Sequence, residues 1–194
     1  MLYFLLLLNL AISWLNCWSV GRMWHEARAL GGFPRLLAWS GAIQAAIGFS
    51  SVIGFALGFI AHTFGYLPPQ AAKAAASLWY LLIIVPALGT GLIITVHSWI
   101  VAFRERSLLN MGAAAYNTFA QLHNMYSAID GIGDAWKVVG ELFEGDSDDA
   151  KTKVILAAVV LVVLALLGGV LLAYTLVRKY AATSPLPAPD FAKA

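Results

Sequence analysis

Formal charge is what this chain most lacks: of 194 residues only 11% are Asp, Glu, Lys or Arg, against 61% hydrophobic residues and a mean hydropathy of +0.79. A soluble domain carries roughly 25% charge to clothe its surface, so a water-soluble globule is excluded and a membrane protein is expected. Cysteine is nearly absent as well. The single Cys17 cannot form an intramolecular disulfide, and no structural redox chemistry follows from it. The net charge of +2 is slight, and no Lys/Arg block is interleaved with aromatics, so nucleic acid is not an expected partner.

Catalytic signatures are missing too. No Ser or Cys stands in a recognisable nucleophile setting, and neither a phosphate-cradling glycine loop nor a paired catalytic carboxylate is visible. His25-Glu26 lacks the second histidine of a zincin motif, and Asp146, Asp148 and Asp149 lack EF-hand spacing. No ionisable Asp, Glu, Lys or Arg lies deep in an apolar run, which argues against ion pumps, proton-coupled carriers and voltage sensors. The chain therefore reads as a non-enzyme without a cofactor or metal.

What is there is hydrocarbon in long blocks. Four apolar runs free of formal charge cover 1–21, 36–72, 74–103 and 154–177. Each reaches the ~20 residues that a helix needs to cross a ~30 Å hydrocarbon core, and their continuity is helical rather than the short alternation of a β-barrel. The expected fold is all-α and polytopic, with four transmembrane helices. Residues 1–103 form a three-helix region, 104–153 an amphipathic segment with an acidic linker, 154–180 the fourth span, and 181–194 an Ala/Pro-rich tail.

The first run opens without a basic n-region or a small-x-small cleavage site, so an uncleaved span is expected. Arg22, Arg28 and Arg35 follow it, placing the first loop in the cytoplasm and the N-terminus outside by the positive-inside rule. Four spans then leave Arg104, Arg106, Lys137, Lys151 and Lys153 inside. Lys73, Arg178, Lys179 and Lys193 fall outside, and the Arg178-Lys179 pair directly after the last span opposes that arrangement. Trp18, Trp24, Trp39 and Trp99 would mark the inner interface, and Tyr66, Trp79 and Tyr80 the outer one.

Between the third and fourth spans, Phe119, Leu122, Tyr126, Ile129 and Trp136 recur at mostly helical spacing, an amphipathic stripe expected in the cytoplasm. Gly131, Gly133 and Gly140 are expected to break or bend it into two pieces. An interfacial membrane helix would carry Lys or Arg on its polar side, and this one is neutral to acidic. Association with copies of itself is the favoured destination, and the five large residues are the expected assembly contact.

Small residues on the second span (Gly41, Ala45, Gly48, then Gly54 and Gly58) form a packing face for close helix approach. Asn9, Ser13, Asn16 and Cys17 share one face of the first span, which needs protein partners or a water path; Gln44, Ser50 and Ser51 of the second span are candidate partners. Pro86 with Gly89 and Gly91 weakens the third span midway and is a candidate hinge. His62 and His97 fall near opposite ends of antiparallel spans, roughly 30 Å apart in depth at 1.5 Å per residue, too far to share a haem iron.

The stretch from Asn16-Cys-Trp-Ser-Val-Gly-Arg through Gly31-Gly32-Phe-Pro-Arg to Ala38-Trp39-Ser-Gly-Ala resembles small uncharacterised multi-pass proteins of bacteria and their mobile elements. The resemblance covers about the first quarter of the chain and implies a bacterial inner membrane, with no active site attached. Three functions remain in view. The first is a non-catalytic subunit that oligomerises or joins a larger membrane complex. The others are a small oligomeric channel lined by Asn9, Asn16, Gln44 and Ser51, and a haem-bearing redox subunit.

Overall fold

The computed structural model describes residues 2–144 and 149–183. They form five helices: α1 (Leu2–Leu30), α2 (Gly32–Thr63), α3 (Pro69–Glu105), α4 (Leu108–Phe143) and α5 (Asp149–Thr183). The chain is all-α, and α1, α2, α3 and α5 are long and apolar enough to cross a membrane. Of the expected acidic linker, Asp146 and Asp148 lie outside the described residues. So does the tail from residue 184, while α5 continues to Thr183.

Local chemistry sets the boundaries. Gly31 and Gly32 take φ of 66° and 48°, a region that a side chain enters only with strain, so the chain reverses between α1 and α2 in a single residue. Pro68 is extended and Pro69 opens α3, where a missing N–H removes nothing the helix needs. Arg106 is left-handed at φ 48° and ends α3 by donating its N–H to the Ala102 carbonyl; Ser107 then leads into α4.

The interior is made of small side chains. Phe49 is the largest that is fully enclosed, followed by Cys17, Ser13, Ser40 and Ser50, while Leu, Val, Ile and aromatic residues crowd the outside. Water would penalise such a surface by about 25 cal/mol per Å² of exposed hydrocarbon, whereas lipid does not. Close packing of small residues is how membrane helices associate in a solvent as apolar as themselves.

Contacts between helices give their directions. Asn9 meets Ser51 and the Gly41 backbone meets Val20, so α1 and α2 are antiparallel. Gln44 meets Ala87 and Ser50 meets Trp79, which sets α3 antiparallel to α2. Thr95 meets Asn117, Gln121 meets Leu88 and Tyr80 meets Ser127, so α4 returns along α3. Finally Cys17 meets Ala173 and His25 meets Ala181, making α5 parallel to α1, while Gly58 against Leu161 makes it antiparallel to α2. The five helices alternate up and down.

Two expectations are corrected here. Gly131, Gly133 and Gly140 do not divide the segment after the third span: α4 is one 36-residue helix. A four-span alternation would also have set the last span antiparallel to the third, with Arg178 and Lys179 opposite Arg104. Because α4 runs back along α3, α5 instead starts at the Pro69 end. Among the described residues, Arg22, Arg28, Arg35, Arg104, Arg106, Arg178 and Lys179 therefore gather at one end with only Glu26 and Glu105 as counter-charges. The opposite end holds Lys73, Lys137, Lys151 and Lys153 beside Asp130, Asp134, Glu141, Glu144 and Asp149. We call these the basic and acidic ends.

Candidate functional site

Side-chain amides fix the level at which the helices meet. On α2, the Gln44 amide donates to the Ala87 carbonyl and to Thr90 Oγ1, both at 2.8 Å. From the other flank, Gln121 of α4 donates to the Leu88 carbonyl at 2.9 Å. Both carboxamides reach α3 beside Gly91, where a Cβ would overlap the Gln121 side chain. The lack of a side chain at Gly91 is thus what admits α4. Gln121 is buried despite being a full amide, and its hydrogen bond answers the desolvation that lipid would otherwise impose.

Measured from that level at 1.5 Å per residue, Arg22 and Arg178 lie about 8 Å towards the basic end, and Asp130 about 13 Å and Lys73 about 22 Å towards the acidic end. The layer without formal charge is therefore roughly 20 to 30 Å thick, close to a hydrocarbon core. Its basic edge carries Trp24 packed edge-on against Trp39 at 5.6 Å, and the Arg22 guanidinium 5.2 Å from the Trp18 ring.

The α4 helix passes through this layer alongside α3. Its buried positions are Ala114, Gln121, Ala128 and Ala135, one every seven residues, and they face α3. Asn117 adds a hydrogen bond to Ser98 Oγ at 2.6 Å and Thr118 accepts one from the Trp99 indole at 2.8 Å. The large residues point the other way. Phe119, Leu122, Tyr126, Ile129 and Trp136 are all exposed, from 61% at Leu122 to 77% at Ile129. His123, stacked on Phe119, borders that outer surface, whereas Asn124, three residues from Gln121 and exposed, lies on the opposite flank of α4, roughly 170° around the helix from the large residues. Asn124 has no hydrogen-bond partner among the described residues.

The other residues singled out in the sequence are mostly occupied within the chain. Asn9 donates to Ser51 Oγ at 2.7 Å, and Ser13 bonds the Asn9 carbonyl at 2.7 Å. Asn16 is half-buried near Cys17. Gly41 and Gly48 make room for Val20, Ser13 and Asn9 of α1, and Ala45 is fully buried; Gly54 and Gly58 instead face Ala165 and Leu161 of α5. One glycine-rich helix therefore serves two neighbours inside the same molecule.

At the candidate hinge, α3 continues through Pro86, whose missing N–H leaves the Leu82 carbonyl without its helical donor. Gly89 faces open space, while Gly91 is held between Gln44 and Gln121. His62 Nδ1 donates to the Leu67 carbonyl at 3.1 Å at the acidic end, and His97 stacks on Phe33 at the basic end, so the two imidazoles are far apart. Among the described residues no three His, Cys, Asp or Glu side chains come together as a metal site.

No protein-family model, curated protein or solved structure matches this chain. Function must be argued from its own geometry.

Sequence patterning missed two features of this site. Gly21 permits backbone approach to α5, since a Cβ there would lie 3.0 Å from the Val177 carbonyl; the Gly168-Gly169 pair, by contrast, reads as close packing in the sequence, and a Cβ on Gly169 would lie 2.5 Å from the Ala46 carbonyl and 2.7 Å from the Ser50 nitrogen of α2. The passage of α4 through the uncharged layer was also missed. A signal for it exists, since residues 107–129 contain no formal charge over 23 positions.

Proposed function

We propose that this protein is a non-catalytic membrane subunit that crosses the bilayer five times and assembles with further copies of itself through the outer face of α4. The observation that carries the reading is the stripe of Phe119, Leu122, Tyr126, Ile129 and Trp136 on the side of α4 turned away from α3, five large residues that are all exposed. Such stripes on two copies of α4 interdigitate about a two-fold axis, and van der Waals packing of that kind is what associates helices in lipid. His123, stacked on Phe119, borders the stripe and adds a polar group able to bond across the contact.

A five-span arrangement supports the orientation. With the basic end in the cytoplasm, Arg178-Lys179 joins the other cytoplasmic arginines, and among the described residues seven Lys or Arg lie inside against four outside. The N-terminus is then outside and the C-terminal end of α5 inside. The resemblance of the first quarter points to a bacterial inner membrane. A pore lined by Asn9, Gln44 and Ser51 has less support, because these groups bond one another or α3.

Light scattering on the full-length protein eluted in detergent tests assembly. The wild type is expected as a multimer, and Phe119→Ala with Tyr126→Ala as a smaller particle. A monomeric wild type, or a double variant of unchanged mass, overturns the proposal.

A further inference from the structure

We infer that the open-sided cavity bounded by α2, α3 and α5 holds one acyl chain of a membrane phospholipid. Its volume is about 390 Å³, within the range of true ligand sites. At roughly 30 Å³ for a water-sized unit, it accepts about a dozen methylene-sized groups. The walls are hydrocarbon: Gly54, Phe59, Ala72, Ala76, Trp79 and Val162 line it from three helices. The glycines and alanines leave the space open, and the aromatic and branched residues give it apolar sides.

Polar atoms sit only at its two ends, and they differ. At the inner end, Ser50 Oγ donates to the Ile47 carbonyl at 2.8 Å and accepts from the Trp79 indole at 2.9 Å. Ser51 Oγ likewise donates to Gly48 and accepts from Asn9. A guest is asked for no hydrogen bond there, and water gains none by entering. At the outer end stands His62, whose Nδ1 is committed to Leu67 and whose Nε2 has no partner among the described residues. A buried tip that wants hydrocarbon and a mouth that offers a polar nitrogen describe an amphiphile lying along the helices.

The dimensions select which amphiphile. From Ser50 to His62 the cavity follows twelve residues of α2, about 18 Å along the helix axis. From the Gln44 level the cavity runs from about 9 Å at Ser50 to about 27 Å at His62, so its tip lies inside the uncharged layer and its mouth just past Lys73 on the acidic side, as a lipid chain and its headgroup would lie. Each buried methylene contributes about 0.8 kcal/mol relative to water. In a bilayer the competing state is lipid, so occupancy reflects the fit of the walls.

Two measurements on the full-length protein test this. In a variant retaining Trp79 as its only tryptophan, with the other six changed to Phe, vesicles of phosphatidylcholine containing an increasing share of chain-brominated lipid are expected to quench fluorescence in two phases. The first is saturable at low mole fraction; the second is the gradual quenching by surrounding lipid. Filling the cavity with Ala76→Phe, or separately Ala72→Phe, is expected to abolish the saturable phase while helical circular dichroism and elution volume stay unchanged. Phosphate analysis of the detergent-purified wild-type protein is expected to find about one more phospholipid per chain than in either filled variant. A single gradual phase in the Trp79-only protein, or equal phosphate in wild type and in whichever filled variant folds, overturns the inference.

Discussion

Gln121 of α4 reaches α3 through the gap left by Gly91: its amide donates to the Leu88 carbonyl at 2.9 Å, and a methyl group on residue 91 would occupy the space its side chain fills. Gly91→Ala is therefore expected to destabilise the α3–α4 contact by about 1–3 kcal/mol, the usual cost of overpacking. Gln121→Leu removes only the hydrogen bond and should cost about 0.6–1.7 kcal/mol. Urea unfolding in mild detergent micelles, followed by circular dichroism, ranks the two variants.

Gly169 and Gly89 should respond in opposite directions to the same change. Gly169→Ala places a methyl against the Ala46 carbonyl and the Ser50 nitrogen, backbone atoms that cannot rotate away. A loss of several degrees in Tm is expected. Gly89 has open space around it, so Gly89→Ala should be neutral or stabilising by up to ~1 kcal/mol through helix propensity. A thermal shift assay on both variants measures the contrast.

The α1–α2 pair offers a double-mutant cycle. Asn9 and Ser51 are 2.7 Å apart and far from the α4 surface. Asn9→Leu and Ser51→Ala should couple by about 0.6–1.7 kcal/mol in unfolding free energy. Neither should alter particle mass, since the bond is internal.

Topology is directly measurable. In a Cys17→Ser background, single cysteines introduced at Ser107 and Thr183 should react with an impermeant maleimide from the same membrane face. Cysteines at Thr63 and Lys137 should react from the other. A four-span arrangement puts Ser107 and Thr183 on opposite faces, so the labelling pattern separates the two outcomes in intact cells and inverted vesicles.

At the assembly surface, Leu122→Asp combined with Ile129→Asp should release smaller particles in detergent, because both side chains point away from α3. The helix itself should persist. Circular dichroism alongside light scattering checks both parts.

Four of the five helices were legible in the sequence because their uncharged runs are also rich in Leu, Ile and Val. The fifth was legible only in part. Asn117, Gln121, His123 and Asn124 lower the hydropathy of α4 to that of a surface helix, and its periodic large residues read as a face seeking protein in water. Its inward stripe of Ala114, Ala128 and Ala135 is inconspicuous, since alanine is compatible with either solvent. The discordant pair Arg178-Lys179 was the usable clue: α4 running back along α3 brings it to the same end as Arg104. Individual polar partners could be read only in part. Ser51 was legible as a candidate partner of the polar face on α1, and Asn9 does reach it; that Gln44 turns to α3 instead of α1 depends on a helix rotation that periodicity leaves open.

The parallel course of α3 and α5 has a bioenergetic corollary. Residues 130–153 carry seven acidic and three basic side chains, a net −4, and in the proposed orientation this stretch must be carried outward during biogenesis. An inside-negative membrane potential drives anions outward by about 2.3 kcal/mol per charge for each 100 mV. De-energised cells should accordingly accumulate chains stalled after α3, with the final helix left uninserted.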